Sequence, residues 1–226
     1  MIDRLLPLTV ATAEAFGDVP GEPVFPGEED LVASAVESRR REFVTGRRCA
    51  REALAELGYP PVPISTGRRR EPIWPPGVAG TITHCAGYRA AAVTRTVDLA
   101  SIGIDAEPNA QLPEGVAEAV TLAAERVMLD RLSASDPLIH WGRVLFSAKE
   151  SVFKAWYPLT ARMLDFVEAS VTIDSVACTF RAQLLADGRR IDGAPPLSSF
   201  NGRFVVAQGL VLTAVTVSWR RESSRA

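Results

Sequence analysis

Cysteine, aromatic residues and net charge are all scarce in this sequence, and each shortage argues against a class of protein. The cysteines are few and scattered and include no Cys-x-x-Cys pair; they are Cys49, Cys85 and Cys178. Such a set argues against a disulfide framework and for a reducing compartment, so we expect a cytoplasmic protein. Aromatic residues make up 7% of the chain and do not alternate with its arginines, and the net charge is −2. These features give no reason to expect nucleic acid or an anionic membrane as a partner.

The sequence also lacks long apolar runs. No stretch approaches the length of about 18 uncharged apolar residues that a membrane-spanning helix requires. The N-terminus shows no basic segment followed by an apolar run, so we expect no signal peptide. With 226 residues, of which 47% are hydrophobic and 23% charged, the chain is predicted to be globular and to bury a sizeable core.

The hydrophobic pattern of the first half predicts helices followed by strands. We expect a short strand near Leu5–Val10, helix over residues 28–57 and a long loop over residues 59–77. Gly46 is expected to divide the helical stretch into two helices. Short runs rich in Val, Ile and Thr then predict three strands, at residues 78–84, 89–96 and 101–107.

The second half repeats this order. Helical spacing returns at residues 114–132 and 143–157, and further extended stretches follow. Asn201 and Gly202 are expected to form a hairpin turn, because both tolerate positive φ. The pattern therefore predicts an α+β fold of two similar halves that permits a pseudo-twofold arrangement. The predicted units are residues 1–108, residues 109–218 and a polar tail at 219–226.

One acidic pair lies on the third predicted strand, in the run Gly103-Ile104-Asp105-Ala106-Glu107. Side chains two residues apart on a strand point to the same face, so these two carboxylates can approach one cation from one side. Magnesium prefers few carboxylates together with water and phosphate oxygens. The alternative is an exposed strand edge with two solvated acids.

A second cluster lies on the last predicted helix, in the run from Phe146 to Trp156. Glu150 and Lys154 are four residues apart there and share one helix face. A carboxylate beside an ammonium can serve as a metal ligand or base next to a phosphate clamp. The alternative is an ordinary surface ion pair.

Two further features, a histidine and a group of arginines, could bind a negatively charged ligand. His84 ends the first predicted strand after Thr83, where it can touch a ligand or simply be a hydrogen-bonded structural residue. Nine arginines lie within 32 positions, between Arg39 and Arg70. Arg39 and Arg47 are eight residues apart and share a side if their helix is continuous, and guanidinium groups clamp phosphate. A basic zone on a nearly neutral protein suits a small polyanion, although a solvated helix face is the alternative.

These clusters occur in one order, and the ordered set resembles the Sfp/EntD-type phosphopantetheinyl transferases, especially their actinobacterial members. The resemblance covers roughly residues 36–165 and includes the stretch from Trp74 to Arg89. It implies a pseudo-dimer of two α+β halves, monomeric as a molecule, with the active site in the cleft between them. The implied activity moves the 4′-phosphopantetheine arm of coenzyme A onto a serine of an acyl or peptidyl carrier protein and releases adenosine 3′,5′-bisphosphate.

The resemblance also implies roles for individual residues. Asp105 and Glu107 would bind Mg²⁺, or Mn²⁺ in its place, with Ala106 contributing through its main chain and Glu150 as a further ligand or the base. Lys154 would contact the pyrophosphate. The other implied coenzyme A contacts are Arg39, Arg47, Thr83 and His84 at the 3′-phosphate and adenine end, the covering loop Thr66, Gly67, Arg68 and Arg69, and Leu164 at the pantetheine arm.

Two other functions would use the same residues. One is a magnesium-dependent nucleotide phosphohydrolase with water as the nucleophile, and the other is a non-catalytic coenzyme A-binding module. For the transferase, we expect the carrier to dock near residues 108–145. The apolar residues of that segment exceed what one buried helix stripe needs, although all of them packing internally is the alternative. They are Leu112, Val116, Val120, Leu122 and Met128, and the expected steering charges are Arg126, Arg131 and Arg143.

Overall fold

Two antiparallel sheets, each covered by one long helix, make up the fold in a computed structural model that describes residues 1–219. The first sheet has the order β1-β3-β2, and the second the order β4-β8-β7-β6-β5. The strands are β1 (Val10–Ala15), β2 (Val78–Cys85), β3 (Tyr88–Arg95), β4 (Ser101–Pro108), β5 (Ala169–Asp174), β6 (Thr179–Leu184), β7 (Ser199–Ala207) and β8 (Leu210–Val217). Except for Trp219, the predicted polar tail lies outside the described residues.

Within residues 1–219, five α-helices accompany the sheets: α1 (Glu29–Val32), α2 (Glu37–Glu56), α3 (Val116–Val120), α4 (Ala123–Ser135) and α5 (Trp141–Thr160). The same part of the chain has two 3₁₀ helices, Ile2–Leu5 before β1 and Phe166–Glu168 before β5. The helices α2 and α5 are each 20 residues long, and each covers one sheet. No helix among residues 1–219 is both long and apolar enough to cross a membrane.

Each long helix packs through an apolar stripe with helical spacing. In α2 the stripe includes Ala50, Ala53 and Leu54, which pack against Ala91 and Val93 of β3. In α5 a longer stripe of buried residues covers the second sheet; it comprises Val144, Leu145, Ala148, Val152, Ala155, Trp156 and Leu159. Burying such side chains contributes about 1.5–3 kcal/mol each for the larger ones, so the two helices are fixed to their sheets mainly by apolar contact.

The two sheets meet where β2 runs beside β4. Two buried threonine hydroxyls of β2 accept hydrogen bonds from the backbone of β4. Thr81 Oγ1 lies 3.5 Å from the Ile104 nitrogen, and Thr83 Oγ1 lies 3.0 Å from the Ala106 nitrogen. Side chains thus supply acceptors that a neighbouring strand would otherwise supply, which keeps buried backbone donors satisfied. This junction places the strand that carries His84 next to the strand that carries Asp105.

The predicted α+β class is confirmed, and so are the three strands at the end of the first half. The division of the chain at residue 108 stays a prediction. The strand that precedes this position, β4, pairs along its length with β8 of the second sheet. The predicted helix at 114–132 forms as α3 and α4 with a break at Thr121 and Leu122, and the helix at 143–157 extends over 141–160.

Three local predictions were wrong. Residues near Leu5 form a 3₁₀ helix that buries Ile2 and Leu5, and the strand begins only at Val10. Gly46 does not divide α2, which continues through it from Glu37 to Glu56. The small size of this residue serves packing instead, since an added Cβ would lie 3.3 Å from the Ile82 Cγ2 atom. The helical stretch is interrupted earlier, between α1 and α2.

The third wrong prediction concerns Asn201 and Gly202, which lie inside β7. Gly202 packs under the ring of Phe180, where an added Cβ would lie 2.1 Å from the ring. Its small size therefore serves packing across the sheet. The hairpin turn between β7 and β8 is Gln208-Gly209, with φ of 54° and 74°.

Candidate active site

Strand β4 presents its acidic side chains to α5. Alternation along the strand buries Ile102, Ile104 and Ala106 in the core between the sheets, and places Asp105 and Glu107 on the other face with Gly103. An added Cβ at Gly103 would lie 1.8 Å from the Ser151 carbonyl oxygen. Glycine therefore allows α5 to pack directly on β4, which brings the side chains of α5 to the acids.

Asp105 is buried and held on one side only. Its Oδ1 accepts hydrogen bonds from Lys154 Nζ at 2.7 Å and from Thr83 Oγ1 at 3.2 Å. Lys154 Nζ also donates to the Ile104 carbonyl at 3.1 Å. The second carboxylate oxygen, Oδ2, is buried without a hydrogen-bond partner among the described residues. A buried carboxylate oxygen without a partner is costly, so this position favours a cation.

Two glutamates extend the acidic cluster. Glu107 Oε2 accepts from Arg143 Nη1 at 2.9 Å, and Arg143 also donates to main-chain carbonyls just after β4. Burial, followed by the negative charge of Asp105, raises the pKa of Glu107. Burial and Asp105 likewise raise the pKa of Glu150, whereas Lys154 lowers it. Burial is thus the main reason that these two carboxylates hold their protons more tightly than exposed glutamates do.

The carboxylates fit a metal ion that takes few protein ligands. In residues 1–219, no group of three or more His, Cys, Asp or Glu side chains is arranged to hold a metal ion by itself. The available donors are the free Oδ2 of Asp105 and the neighbouring carboxylate of Glu107. Magnesium commonly uses one or two carboxylates and completes its shell with water and substrate phosphate, so this donor set suits it.

A basic cavity of about 450 Å³ lies between α1, α2, β2 and the 59–77 loop. It brings together four of the predicted contacts, Arg39, Arg47, Thr66 and His84, and adds Arg70. Arg47 is buried, its Nε has no partner within the described residues, and burial lowers its pKa to about 10. A buried guanidinium with an unused donor, which remains charged at neutral pH, favours an anionic ligand.

His84 lies at the mouth of this cavity against Arg39, whose Nη1 contacts His84 Nε2. Burial and the charge of Arg39 lower the pKa of His84, which favours the neutral imidazole. Glu42 was missed by the sequence interpretation. Its Oε2 lies 3.2 Å from Arg39 Nη1 and 3.6 Å from His84 Nδ1. Its position three residues after Arg39 on a helix was the available signal.

The arginine loop brings Arg70, one residue beyond the predicted set, to the basic cavity. Thr66 bridges to Pro72, and Arg70 has a positive φ of 65° and lines the basic cavity. Arg68 and Arg69 are exposed, as Arg70 is. Arg69 lines a neighbouring cavity of about 630 Å³ that also contacts Lys154. The backbone of Gly67 donates to the Glu71 carbonyl at 2.8 Å, which closes the loop.

Leu164 lies next to Glu150, in a cavity separate from the basic one. Together with Glu150, Phe153 and Met163 it lines a small cavity of about 160 Å³. The structure therefore places Leu164 beside the acidic cluster, in a cavity whose lining includes none of the predicted arginines. This separation is what a long ligand with a charged end and an apolar arm would require.

The acidic cluster and the basic cavity adjoin through consecutive residues of β2. Thr83 contacts Asp105 and Lys154, and His84 lines the basic cavity. Since successive strand side chains point to opposite faces, one strand end serves both clusters.

The chain has only two lysines, and they differ in environment. Lys154 reaches the acids, whereas Lys149 is buried and donates to Glu125 Oε2, the Val120 carbonyl and the Phe166 carbonyl, each at 2.8 Å. Burial lowers the pKa of Lys149, and Glu125 opposes this shift. With its hydrogen bonds directed inward, Lys149 joins α5 to the elements around it.

Comparison with known proteins assigns the family. The model of the 4′-phosphopantetheinyl transferase N-terminal domain matches residues 27–94, and that of the 4′-phosphopantetheinyl transferase superfamily matches residues 101–192. The chain belongs to the 4′-phosphopantetheinyl transferase family. The two matches meet between β3 and β4, where the first sheet gives way to the second.

Full-length relatives of this transferase carry the same description. This chain is 53% identical over 221 residues to 4′-phosphopantetheinyl transferase Svp of Streptomyces mobaraensis, and the match covers 96% of this chain and 89% of the relative. It is 50% identical to Npt of Nocardia iowensis (95% and 99% covered) and 47% identical to PptT of Mycobacterium tuberculosis (96% and 98% covered). The transferase therefore moves 4′-phosphopantetheine from coenzyme A to a carrier protein.

Proposed function

We propose that the transfer depends on Mg²⁺, with Mn²⁺ as a substitute, and that the acidic cluster and the basic cavity form one coenzyme A site. The observation that carries this proposal is the buried Oδ2 of Asp105, which has no hydrogen-bond partner among residues 1–219. Asp105 and Lys154 both contact Thr83, and the next residue of that strand, His84, lines the basic cavity. A ligand with phosphates at two places would span both clusters. Coenzyme A is such a ligand, because it has a pyrophosphate and a 3′-phosphate.

The basic cavity would hold the nucleotide end. Arg39 and Arg47 supply guanidinium donors for the 3′-phosphate, and His84 borders the same space. Thr66 and its loop would cover the adenine, with Gly67 at the turn and Arg68 and Arg69 as exposed charges on the outside. Arg70 joins this set because it lines the cavity.

The acidic cluster would hold the pyrophosphate. Asp105 and Glu107, with the main chain at Ala106, would bind the metal, which offsets the negative charge of the pyrophosphate when bound. Lys154 donates to Asp105, the Ile104 carbonyl and Thr83, and it would exchange one of these three acceptors for a phosphate oxygen. The pantetheine arm would follow the small cavity past Phe153 to Leu164.

Glu150 is the proposed base. Its raised pKa makes its carboxylate a better proton acceptor than an exposed glutamate at the same pH. It takes the proton of the carrier serine hydroxyl as the serine oxygen bonds to the pantetheine-side phosphorus. The bond from that phosphorus to the bridging oxygen breaks, and adenosine 3′,5′-bisphosphate leaves. Lys154 stabilises the charge that develops on the leaving oxygen.

The carrier would dock on the segment that joins β4 to α5. Arg126 and Arg131 are exposed there, as are the apolar side chains of Val127 and Leu138. Val120 is buried, and Arg143 already binds Glu107, so neither presents a free contact surface. An acidic carrier surface would therefore meet Arg126 and Arg131.

Mass spectrometry of a panel of apo carrier proteins, incubated with coenzyme A and Mg²⁺, tests the proposed function. We expect a mass increase equal to one phosphopantetheine group, and none when the metal is chelated. Release of phosphopantetheine without a carrier would instead support a phosphohydrolase, and metal-independent binding without turnover would support a binding module. The cytoplasmic location and the monomeric state stay predictions.

A further inference from the structure

The hydroxyl of Thr83 contacts three groups of the acidic cluster at once. Thr83 Oγ1 lies 3.0 Å from the Ala106 nitrogen, 3.2 Å from Asp105 Oδ1 and 3.3 Å from Lys154 Nζ. The residue is 2% exposed. It belongs to β2, so these contacts cross the junction between the two sheets.

These contacts use the full hydrogen-bonding capacity of the hydroxyl. A threonine hydroxyl has one proton and two lone pairs. The Ala106 N–H and the Lys154 ammonium can only donate, so both lone pairs are taken and the hydroxyl proton points to Asp105 Oδ1. Oδ1 thus receives two hydrogen bonds, from Thr83 and Lys154, while Oδ2 is buried without a partner among residues 1–219.

We propose that Thr83 is a positioning residue, which holds Asp105 so that Oδ2 is left free for the metal. This differs from the role that the resemblance implied, a contact with coenzyme A, because the hydroxyl would have to release one of its three partners to bind the ligand. The inference rests on the proposed function, since it takes Asp105 as a metal ligand.

The chain offers a matched control in Thr81. Thr81 precedes Thr83 by two residues on the same strand, is 3% exposed, and accepts from the Ile104 nitrogen at 3.5 Å. Its hydroxyl thus supports the same junction without bonding a carboxylate. Thr83→Val and Thr81→Val each remove a hydroxyl with little change of shape, whereas Thr83→Ser retains the hydroxyl.

Metal binding separates the positioning role from a structural one. Binding of Mn²⁺ to the full-length protein with coenzyme A is measured by electron paramagnetic resonance, and binding of coenzyme A without metal by calorimetry in chelator. We expect Thr83→Val to weaken Mn²⁺ binding about tenfold or more, since a hydrogen bond to a charged group is lost. Metal-free coenzyme A binding should be unchanged, and Thr83→Ser and Thr81→Val should bind Mn²⁺ like the original protein.

Wild-type Mn²⁺ affinity in Thr83→Val, or an equal loss in Thr81→Val, would overturn the inference. A matching loss of metal-free coenzyme A affinity in Thr83→Val would restore the contact role and overturn it as well. If Thr83→Val does not fold, Thr83→Ala is measured with the same expected results. Asp105→Asn distinguishes a failure of the proposed metal site from a failure of the inference about Thr83. If this variant binds Mn²⁺ normally, the proposed metal site fails, and the role of Thr83 fails with it. If it loses Mn²⁺ and Thr83→Val does not, only the inference about Thr83 fails.

Discussion

Gly103 of β4 and Ser151 of α5 are packed so closely that a Cβ atom at position 103 would lie 1.8 Å from the Ser151 carbonyl oxygen. The contact is between backbones, so it cannot be relieved by a side-chain rotation. It fixes the distance between the strand that carries Asp105 and the helix that carries Glu150 and Lys154.

Gly103→Ala should therefore push α5 away from β4. We expect a destabilisation of about 1–3 kcal/mol, as is usual for overpacking, and a larger fractional loss of turnover because Lys154 moves away from Asp105. Gly142→Ala, also on α5, is the control, since its Cβ would make an ordinary 3.5 Å contact with Leu112. Urea unfolding and steady-state kinetics measure both effects. Equal stability and turnover in the two variants would show that the close packing is not required.

The glycines illustrate what the sequence could not reveal. The strands around Gly103 and the helix of Glu150 follow from local pattern. Their residue types permitted metal and phosphate binding, and the family resemblance favoured that interpretation over solvated surface charges. Gly46 and Gly202 were misinterpreted because their small size is required by Ile82 and Phe180, which are distant in the sequence. Local rules assign such glycines to helix breaks or turns.

The basic cavity also depends on contacts between residues that are distant in the sequence. Arg39, Arg47 and His84 could be identified, since helix spacing and a strand end place them on defined faces. The choice among the loop arginines depended on the bridge from Thr66 to Pro72, which a linear pattern does not encode. Glu42 was passed over because an acid within an arginine-rich helix resembles an ordinary surface ion pair.

Arg47→Ala should weaken coenzyme A much more than 3′-dephospho-coenzyme A. Loss of a charged hydrogen-bond partner corresponds to roughly a tenfold to hundredfold loss of affinity. Arg41→Ala, at an exposed position of the same helix, should leave both affinities unchanged. Calorimetry with the two ligands makes the comparison. An equal loss for both ligands in Arg47→Ala would assign Arg47 to another part of the ligand.

Reversing the charge of Arg126 and Arg131 to Glu should raise the Michaelis constant for the carrier and leave that for coenzyme A unchanged. Both side chains are exposed on α4, in the segment that joins the strand of Asp105 to the helix of Glu150, and an acidic carrier surface would be attracted to them. The increase should shrink at high salt, because exposed charges are screened. An unchanged Michaelis constant for the carrier, or an equal increase in both Michaelis constants, would place the docking surface elsewhere.

The metal-free protein should lose stability as the pH rises above the ordinary glutamate pKa of 4.5. Burial and Asp105 raise the pKa of Glu107 and Glu150 in the folded state, so the folded chain holds protons that the unfolded chain has released. The free energy of unfolding therefore falls as the pH rises through these raised pKa values.

Thermal unfolding across this pH range measures the effect. In a variant with Glu107→Gln and Glu150→Gln, the Tm should fall less as the pH rises. Mg²⁺ with coenzyme A should raise the Tm of the original protein more at the upper end of the pH range. The same pH dependence in the Gln variant and the original protein would contradict the assignment.

Asp105 is proposed to bind the metal on which transfer depends, and one substitution tests this role most directly. Asp105→Asn keeps the shape of the side chain and removes its charge. Formation of holo-carrier is followed by mass spectrometry while Mg²⁺ is varied, with the fold checked by circular dichroism. We predict a folded protein that forms no holo-carrier at limiting Mg²⁺; turnover equal to that of the original protein under the same conditions would contradict the claim.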